Sequence, residues 1–296
     1  MKNQINHIIF GKLRGQVRSD SFSGRYILSL FIFAVLPALI ANTVIAAPET
    51  VAICDDGGEW PPYIYFNRTN GKIDKSAPLE GATIELFDEI FKRSGLEYSI
   101  ELIAWKRCLE EVTNFGANKN YEIVTNGSYN EYRQKNYYVS APLYKTHQGL
   151  FYSADKHKQA PVIKSAKDLN KYSLCGILGY NYTMYTALGV KEEIDTGAKS
   201  LVTVLKKISE GRCDFFPSPM EPVLGGQTIG LYKLPENIKF VEAPWVGTTT
   251  FHLFVSKSSP RAYELYTKIN QQIMILQGKG IATNIFRKYL PQGDGF

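Results

Sequence analysis

Residues 121–144 read YEIVTNGSYNEYRQKNYYVSAPLY. Tyr121 to Thr125 predicts a β-strand. It gives way to the polar stretch Asn126-Gly-Ser-Tyr-Asn-Glu-Tyr-Arg133, where Gly127 lets another group approach the backbone closely. Taken alone, Arg133 reads as a solvated side chain, since Asn130, Glu131, Gln134 and Lys135 surround it. A planar guanidinium can also grip a carboxylate through two parallel charge-assisted hydrogen bonds, a fork that lysine lacks. What flanks the stretch decides between these readings.

Upstream, Val51-Ala-Ile-Cys54 is a short apolar run ending in the polar turn Asp55-Asp-Gly-Gly58. Gly81 to Ser94 sets Ile84, Leu86, Phe87, Ile90 and Phe91 at helical spacing, with Gly95 as the stop. Tyr98 to Ile103 alternates as a strand, and Trp105 to Phe115 predicts a helix ending at Gly116. Downstream the rhythm repeats. Strands are expected at Leu174–Leu178, Cys213–Phe216, Phe240–Val241 and Phe251–Ser256, and helices at Tyr180–Leu188, Leu201–Ser209, Arg261–Gln277 and Ile281–Tyr289. Strand–helix alternation of this kind implies an α/β fold with parallel sheets covered by helices. No long Gly/Ser/Pro linker divides the chain, so two lobes would have to join through ordered crossing segments.

The chain has 296 residues with a formal charge of +6, which hints at a polyanion partner. Residues 1–46 hold five of the basic side chains against the single acid Asp20, leaving 29 basic and 27 acidic residues beyond them. No Lys/Arg block then stands out, so a polyanion footprint is unsupported and no nucleic-acid partner is expected. The basic leader precedes Tyr26 to Ala47, an uncharged apolar stretch ending in small residues. This is the layout of a secretory signal cut after Ala46, because a cut after Ala47 would leave Pro48 at the new terminus. An uncleaved anchor is the rival reading, since 22 apolar residues could span a bilayer. Pro37 and the small-residue tail favour cleavage and a periplasmic location.

Export makes disulfides plausible for the four cysteines, Cys54, Cys108, Cys175 and Cys213. Three pairings exist. Cys54–Cys108 with Cys175–Cys213 is favoured, because each bond then closes a loop within one half of the chain, worth roughly 4 kcal/mol if unstrained. Four reduced, buried thiols are the alternative. The absence of CxxC pairs and the scattered His147, His157 and His252 offer no metal-ligand spacing, so no metal and no cofactor are expected. No Ser sits in a G-x-S-x-G elbow, and Gly278-Lys279-Gly280 lacks a phosphate-loop pattern. The neighbouring pairs Asp55/Asp56 and Glu110/Glu111 read as solvated surface or turn acids.

Read in order, four stretches resemble the bacterial extracellular solute-binding proteins of the polar amino-acid family. They are Glu59-Trp-Pro-Pro-Tyr63, Gly81-Ala-Thr-Ile-Glu-Leu86, Asn126 to Arg133, and Tyr138-Val-Ser-Ala-Pro-Leu-Tyr144. Gly176-Ile-Leu-Gly-Tyr180, Gly211-Arg-Cys-Asp214 and Phe251 to Lys257 fall at similar positions downstream. The resemblance implies a type II periplasmic binding fold: two α/β lobes joined by two crossing strands, with a ligand enclosed between them. Lobe one would be residues 48–145 plus 250–296, and lobe two 146–249.

It further implies that Arg133 holds a ligand carboxylate, assisted by the hydroxyl and N–H of Ser128. Trp60, followed by Tyr63, would form an aromatic wall. In lobe two, Gly179-Tyr-Asn-Tyr182 replaces the family's usual Gly-Thr-x-Ser/Thr turn, and Tyr180 and Asn181 would line the pocket at a helix start whose N–H groups face an anion. The family's acid for a ligand ammonium falls at position 219, here Pro219, which leaves Glu221 as the nearby carboxylate able to substitute. The implied function is a monomeric, non-enzymatic binding protein that delivers a small amino acid or related carboxylate to a membrane ABC permease. A periplasmic enzyme on the same fold, similar to cyclohexadienyl dehydratases, and a membrane-anchored sensing module are the alternatives.

Overall fold

A computed structural model describes residues 50–290. The first strand, β1 (Val51–Asp56), is followed by a small hairpin of β2 (Arg68–Thr69) and β3 (Lys72–Ile73). Then come α1 (Ala82–Ser94), β4 (Tyr98–Ile103), α2 (Trp105–Thr113), α3 (Phe115–Asn118), β5 (Ile123–Ser128), α4 (Glu131–Asn136) and β6 (Tyr137–Val139). A ten-residue strand, β7 (Tyr144–Ser153), leads into β8 (Leu174–Ile177), α5 (Thr183–Thr186), β9 (Ile194–Ala198) and α6 (Leu201–Ser209). The chain closes with β10 (Phe216–Pro219), α7 (Met220–Thr228), β11 (Ile238–Glu242), β12 (Thr248–Ser256), α8 (Ala262–Gly278) and α9 (Ile281–Tyr289).

Helix α1 shows why the periodicity was readable. Leu86, Phe87, Ile90 and Phe91 form its buried stripe, Glu85 and Lys92/Arg93 suit the helix dipole, and Gly95 ends it in the left-handed conformation. That stripe packs with buried Leu265, Ile269 and Ile273 of α8 and Ile285 and Phe286 of α9 in one core.

Strands β7 and β12 run between the two lobes. They pair antiparallel from Tyr144↔Phe251 to His147↔Thr248 and then part. Beyond Phe251, β12 pairs with β5 and β6, and β5 pairs with β1, which pairs with β4. Beyond His147, β7 pairs with β10 and β11. The parallel pairs expected from the alternation are present at β1–β4, β1–β5 and β8–β9. The sheets are nevertheless mixed, because the crossing strands bring antiparallel partners into them.

Both favoured disulfides are formed, Cys54–Cys108 with Cα atoms 5.7 Å apart and Cys175–Cys213 at 5.8 Å. The first ties β1 to α2 just before Asp55 and Asp56, and so fixes them relative to Trp105. Several sequence expectations shift; the helix expected over 105–115 stops at Thr113, and Gly116 lies inside α3 rather than ending a helix. The strand expected at 121–125 runs instead from Ile123 to Ser128, the strand expected from Cys213 begins at Phe216, and the helix expected over 180–188 shrinks to Thr183–Thr186. In the last case Gly179 adopts φ +81, which turns Tyr180 and Asn181 away from the helix and towards lobe one. The expected signal, residues 1–46, lies outside the described residues. No described helix is long and apolar enough to cross a membrane.

Candidate functional site: a charged aromatic cleft

Arg133 follows the N-cap of α4, where the Asn130 side chain accepts from the Arg133 N–H at 2.8 Å. This short helix turns the guanidinium inward, so that it is only 3% exposed. Its Nη1 donates to the Ser128 carbonyl at 2.5 Å and to Ser128 Oγ at 3.3 Å, and Nη2 donates to the Gly179 carbonyl of lobe two at 3.4 Å. The rings of Trp105 and Phe254 lie 5.5 and 5.8 Å from its central carbon. Gly127 makes room for this arrangement, since a Cβ there would lie 2.0 Å from the Phe254 ring. Burial lowers the Arg133 pKa to about 10, still charged at neutral pH.

At the end of β1 stand two acids read in the sequence as solvated turn residues. Asp55 is 1% and Asp56 3% exposed. Asp55 accepts from the Asp56 N–H at 2.7 Å and from Asn126 Nδ2 at 2.5 Å. Asp56 accepts from the Gly58 N–H at 2.8 Å and the Tyr180 hydroxyl at 2.7 Å. Desolvation raises Asp55 well above the usual carboxylate range and Asp56 to about 6. Among the described residues, Arg133, Asp55 and Asp56 are thus hydrogen bonded to neutral groups alone. A buried charge with no opposite charge beside it is costly, and here both signs occur in one cleft.

That cleft encloses about 530 Å³ of empty space, solvent at its mouth included. Asp55, Asp56, Ser128 and Arg133 line it from one side, and Tyr180, Asn181, Met184, Tyr185, Pro217 and Pro219 from the other. Gln148 and Thr249 of the crossing strands form its back, with Gln148 Nε2 donating to Thr249 Oγ1 at 2.9 Å. Trp60 is a wall residue, its ring 5.6 Å from both Tyr180 and Phe251. Asn181 Nδ2 donates to Ser128 Oγ at 3.1 Å and to the Tyr129 carbonyl at 2.8 Å, so the Gly179–Asn181 turn closes directly onto lobe one.

Of the seven residues singled out by sequence, Arg133, Ser128, Trp60, Tyr180 and Asn181 come together here. Two do not. Tyr63 is fully buried behind the cleft, stacked on Tyr144 with centroids 3.7 Å apart, because the turn after Trp60 directs it into the core. Glu221 begins α7 and faces away, accepting from the His147 N–H at 2.9 Å and contacting His147 Nδ1 at 2.9 Å. Its carboxylate therefore does not line the cavity. The helix-start expectation also fails, since α5 is one turn long and the Thr183 N–H is already taken by Asn181 Oδ1 at 3.1 Å.

A guanidinium and two carboxyl groups without opposite charges beside them thus line one cleft, and a family model matches the chain over residues 53–292. The chain belongs to the bacterial extracellular solute-binding proteins, family 3. Its fold is that of the type II periplasmic binding proteins, two lobes joined by two crossing strands. The chain is similar in structure to the arginine-, lysine-, histidine-binding protein ArtJ from Geobacillus stearothermophilus, with a TM-score of 0.64 at 17% identity, covering 82% of this chain and 96% of that one. A histidine kinase sensor domain with similarity to periplasmic binding proteins gives 0.66 at 18% identity over 82% and 96%. The ancestral amino acid-binding protein AncCDT-1, a precursor of cyclohexadienyl dehydratase, gives 0.60 at 17% over 81% and 94%. At these identities the likeness shows the fold alone. No curated protein sequence matches the chain.

The acids were missed because neighbouring residues on a strand point to opposite faces and do not form a pair. The signal available was position: in α/β sheets ligands bind beyond the carboxyl ends of strands, where Asp55 and Asp56 lie.

Proposed function

We propose that this solute-binding protein captures a small zwitterion, an amino acid or a close relative, between lobes formed by residues 48–145 plus 250–296 and 146–249. The ligand carboxylate meets Arg133 and Ser128, and its cationic group meets Asp55 and Asp56. The single observation that supports this is a buried guanidinium and two buried carboxyl groups, none with an opposite charge beside it, in one aromatic-walled cleft. A zwitterion neutralises both ends at once, and by touching both lobes it favours the closed state over the open one. Glu221 has no part in this reading; the acids at the end of β1 take the role first expected of it.

In this account the protein is a monomer, exported by a signal cut after Ala46, and hands its ligand to an ABC permease without changing it. A thermal-shift screen of amino acids, the corresponding deaminated acids and the corresponding amines tests it, since tight binding raises the melting temperature by mass action. Amino acids should stabilise and both truncated sets should fail. Equal stabilisation by the deaminated acids would sink the zwitterion reading.

One observation favours a second reading, an enzyme on the same fold. A carboxyl held at about 6 inside the cleft is suited to general acid catalysis. Recovery of bound ligand chemically intact after prolonged incubation supports capture, whereas conversion supports catalysis.

A further inference from the structure

Behind the cleft wall runs a chain of hydrogen bonds that leads from the crossing strand to Asp55. Trp60 Nε1 donates to the Tyr144 hydroxyl at 3.0 Å, and that hydroxyl lies 3.0 Å from Asn126 Oδ1. Thr83 Oγ1 donates to the same Oδ1 at 2.9 Å, and Asn126 Nδ2 donates to Asp55 Oδ2 at 2.5 Å. Every member is buried: Tyr144 and Thr83 fully, Trp60 and Asn126 at 5% exposure, Asp55 at 1%.

The direction of each proton follows from the donor inventory. An indole N–H can only donate, so Tyr144 accepts from Trp60 and must send its own proton elsewhere. The acceptor within reach is Asn126 Oδ1. The amide is thereby oriented, with its NH2 group towards Asp55. Turning it over would leave the buried Tyr144 proton without an acceptor and bring Oδ1 against an Asp55 oxygen. Such losses are expensive where water is excluded. Tyr144 itself cannot swing away, because its ring is stacked between Tyr63 at 3.7 Å and Phe251 at 5.1 Å. Asp55 Oδ1 meanwhile faces the Asp56 N–H. Both carboxylate oxygens therefore already meet donors from the protein, and a proton added to Asp55 finds no acceptor among them.

We infer that Asn126, aimed by Trp60 and Tyr144, is a positioning residue that holds Asp55 as an acceptor towards the cleft. Resting on the zwitterion reading, it follows that the ligand meets Asp55 with a donor, which a cationic nitrogen supplies and a bare carboxylate does not. Because Tyr144 opens the crossing strand β7, the residue that sets this orientation also stands where the lobes join. The other titratable groups around Asp55 are Asp56 on the same strand, Tyr144 from β7 and Tyr180 from the loop after β8, with Arg133 of α4 across the same cavity.

The test uses ligand-free protein, so it stands or falls apart from the ligand assignment. The Asp55 side-chain carboxyl is followed by 13C NMR against pH in the wild type, Asn126→Gly and Tyr144→Phe. Glycine suits position 126, where φ is +51, and removes the whole side chain, the Nδ2 donor and the Oδ1 acceptor together. Loss of the Nδ2 donor should raise the Asp55 midpoint by about one pH unit, a tenfold tighter hold on the proton. Tyr144→Phe should move it less in the same direction, and it serves as the measure if the glycine variant does not fold. Unchanged midpoints in the folded variants, with only a lower melting temperature, would make the chain a purely structural feature and overturn the proposal. A raised midpoint in a protein that no amino acid stabilises would uphold the positioning role and reject the zwitterion.

Discussion

The Tyr180 hydroxyl, in the turn after β8, donates to Asp56 Oδ2 at the end of β1 at 2.7 Å, across the cleft. It belongs to a set in which the Gly179 carbonyl also accepts from Trp105 Nε1 at 2.9 Å and Asn181 reaches Ser128 and Tyr129. In the proposed cycle, closure rests on these protein–protein bonds as well as on the ligand. Hydrogen bonds to charged groups contribute about 1.5 kcal/mol or more. Tyr180→Phe should therefore weaken binding of the best ligand from the thermal-shift screen roughly tenfold. Calorimetric titration measures this, and an unchanged affinity would uncouple the contact from closure.

Asp56 gives a pH dependence with a definite sign. Its carboxyl, ordinarily near 3.8, is held at about 6 in the fold, so the folded chain binds that proton more tightly than the unfolded one. Its ionisation then costs stability above pH 6, by about 3 kcal/mol, and the cost fades as the pH falls from 6 towards 4. The neutral Asp56→Asn variant should melt higher than wild type at pH 7.5, and the gap should narrow by pH 4.5. Comparing the two chains cancels groups not coupled to Asp56, His252 among them, whose depressed pKa acts in the opposite direction; Asp55, itself raised in part by Asp56, shifts in the same sense as the Asp56 effect. A gap that widens on acidification would contradict the assignment.

Glu221 supplies a control outside the cleft. It braces the crossing strand through the His147 N–H. Glu221→Gln should lower the melting temperature by a few degrees, the equivalent of about 1 kcal/mol. Ligand affinity should stay within about a factor of two. A large loss of affinity would return Glu221 to the binding account.

Much of the scaffold was legible in the sequence. Helix α9 keeps the expected bounds Ile281–Tyr289, and α1 differs from its expected range by one residue, because both carry a clear apolar stripe. Helix α7 was missed: Pro222, Gly225 and Gly226 argue against a helix, yet Pro222 sits in the first turn, where its missing N–H costs nothing. The crossing strand β7 was also missed, since its buried residues are a mixture of Tyr, Thr, Gln and apolar types without simple alternation. Within the site, Arg133 could be found from its motif, whereas Asn126 could not. Its role depends on Tyr144 and Trp60, 18 and 84 residues from their respective partners along the chain, and such a chain of protons is set by packing.

The central claim is that Arg133 is kept buried without an acid partner so that a ligand carboxylate can complete it. The direct measurement is the melting temperature of Arg133→Met with and without the stabilising amino acid. Removing an unpaired buried charge should leave the ligand-free variant as stable as wild type or more so, while the ligand-induced rise vanishes. A variant that melts far below wild type yet still responds fully to ligand would contradict the account.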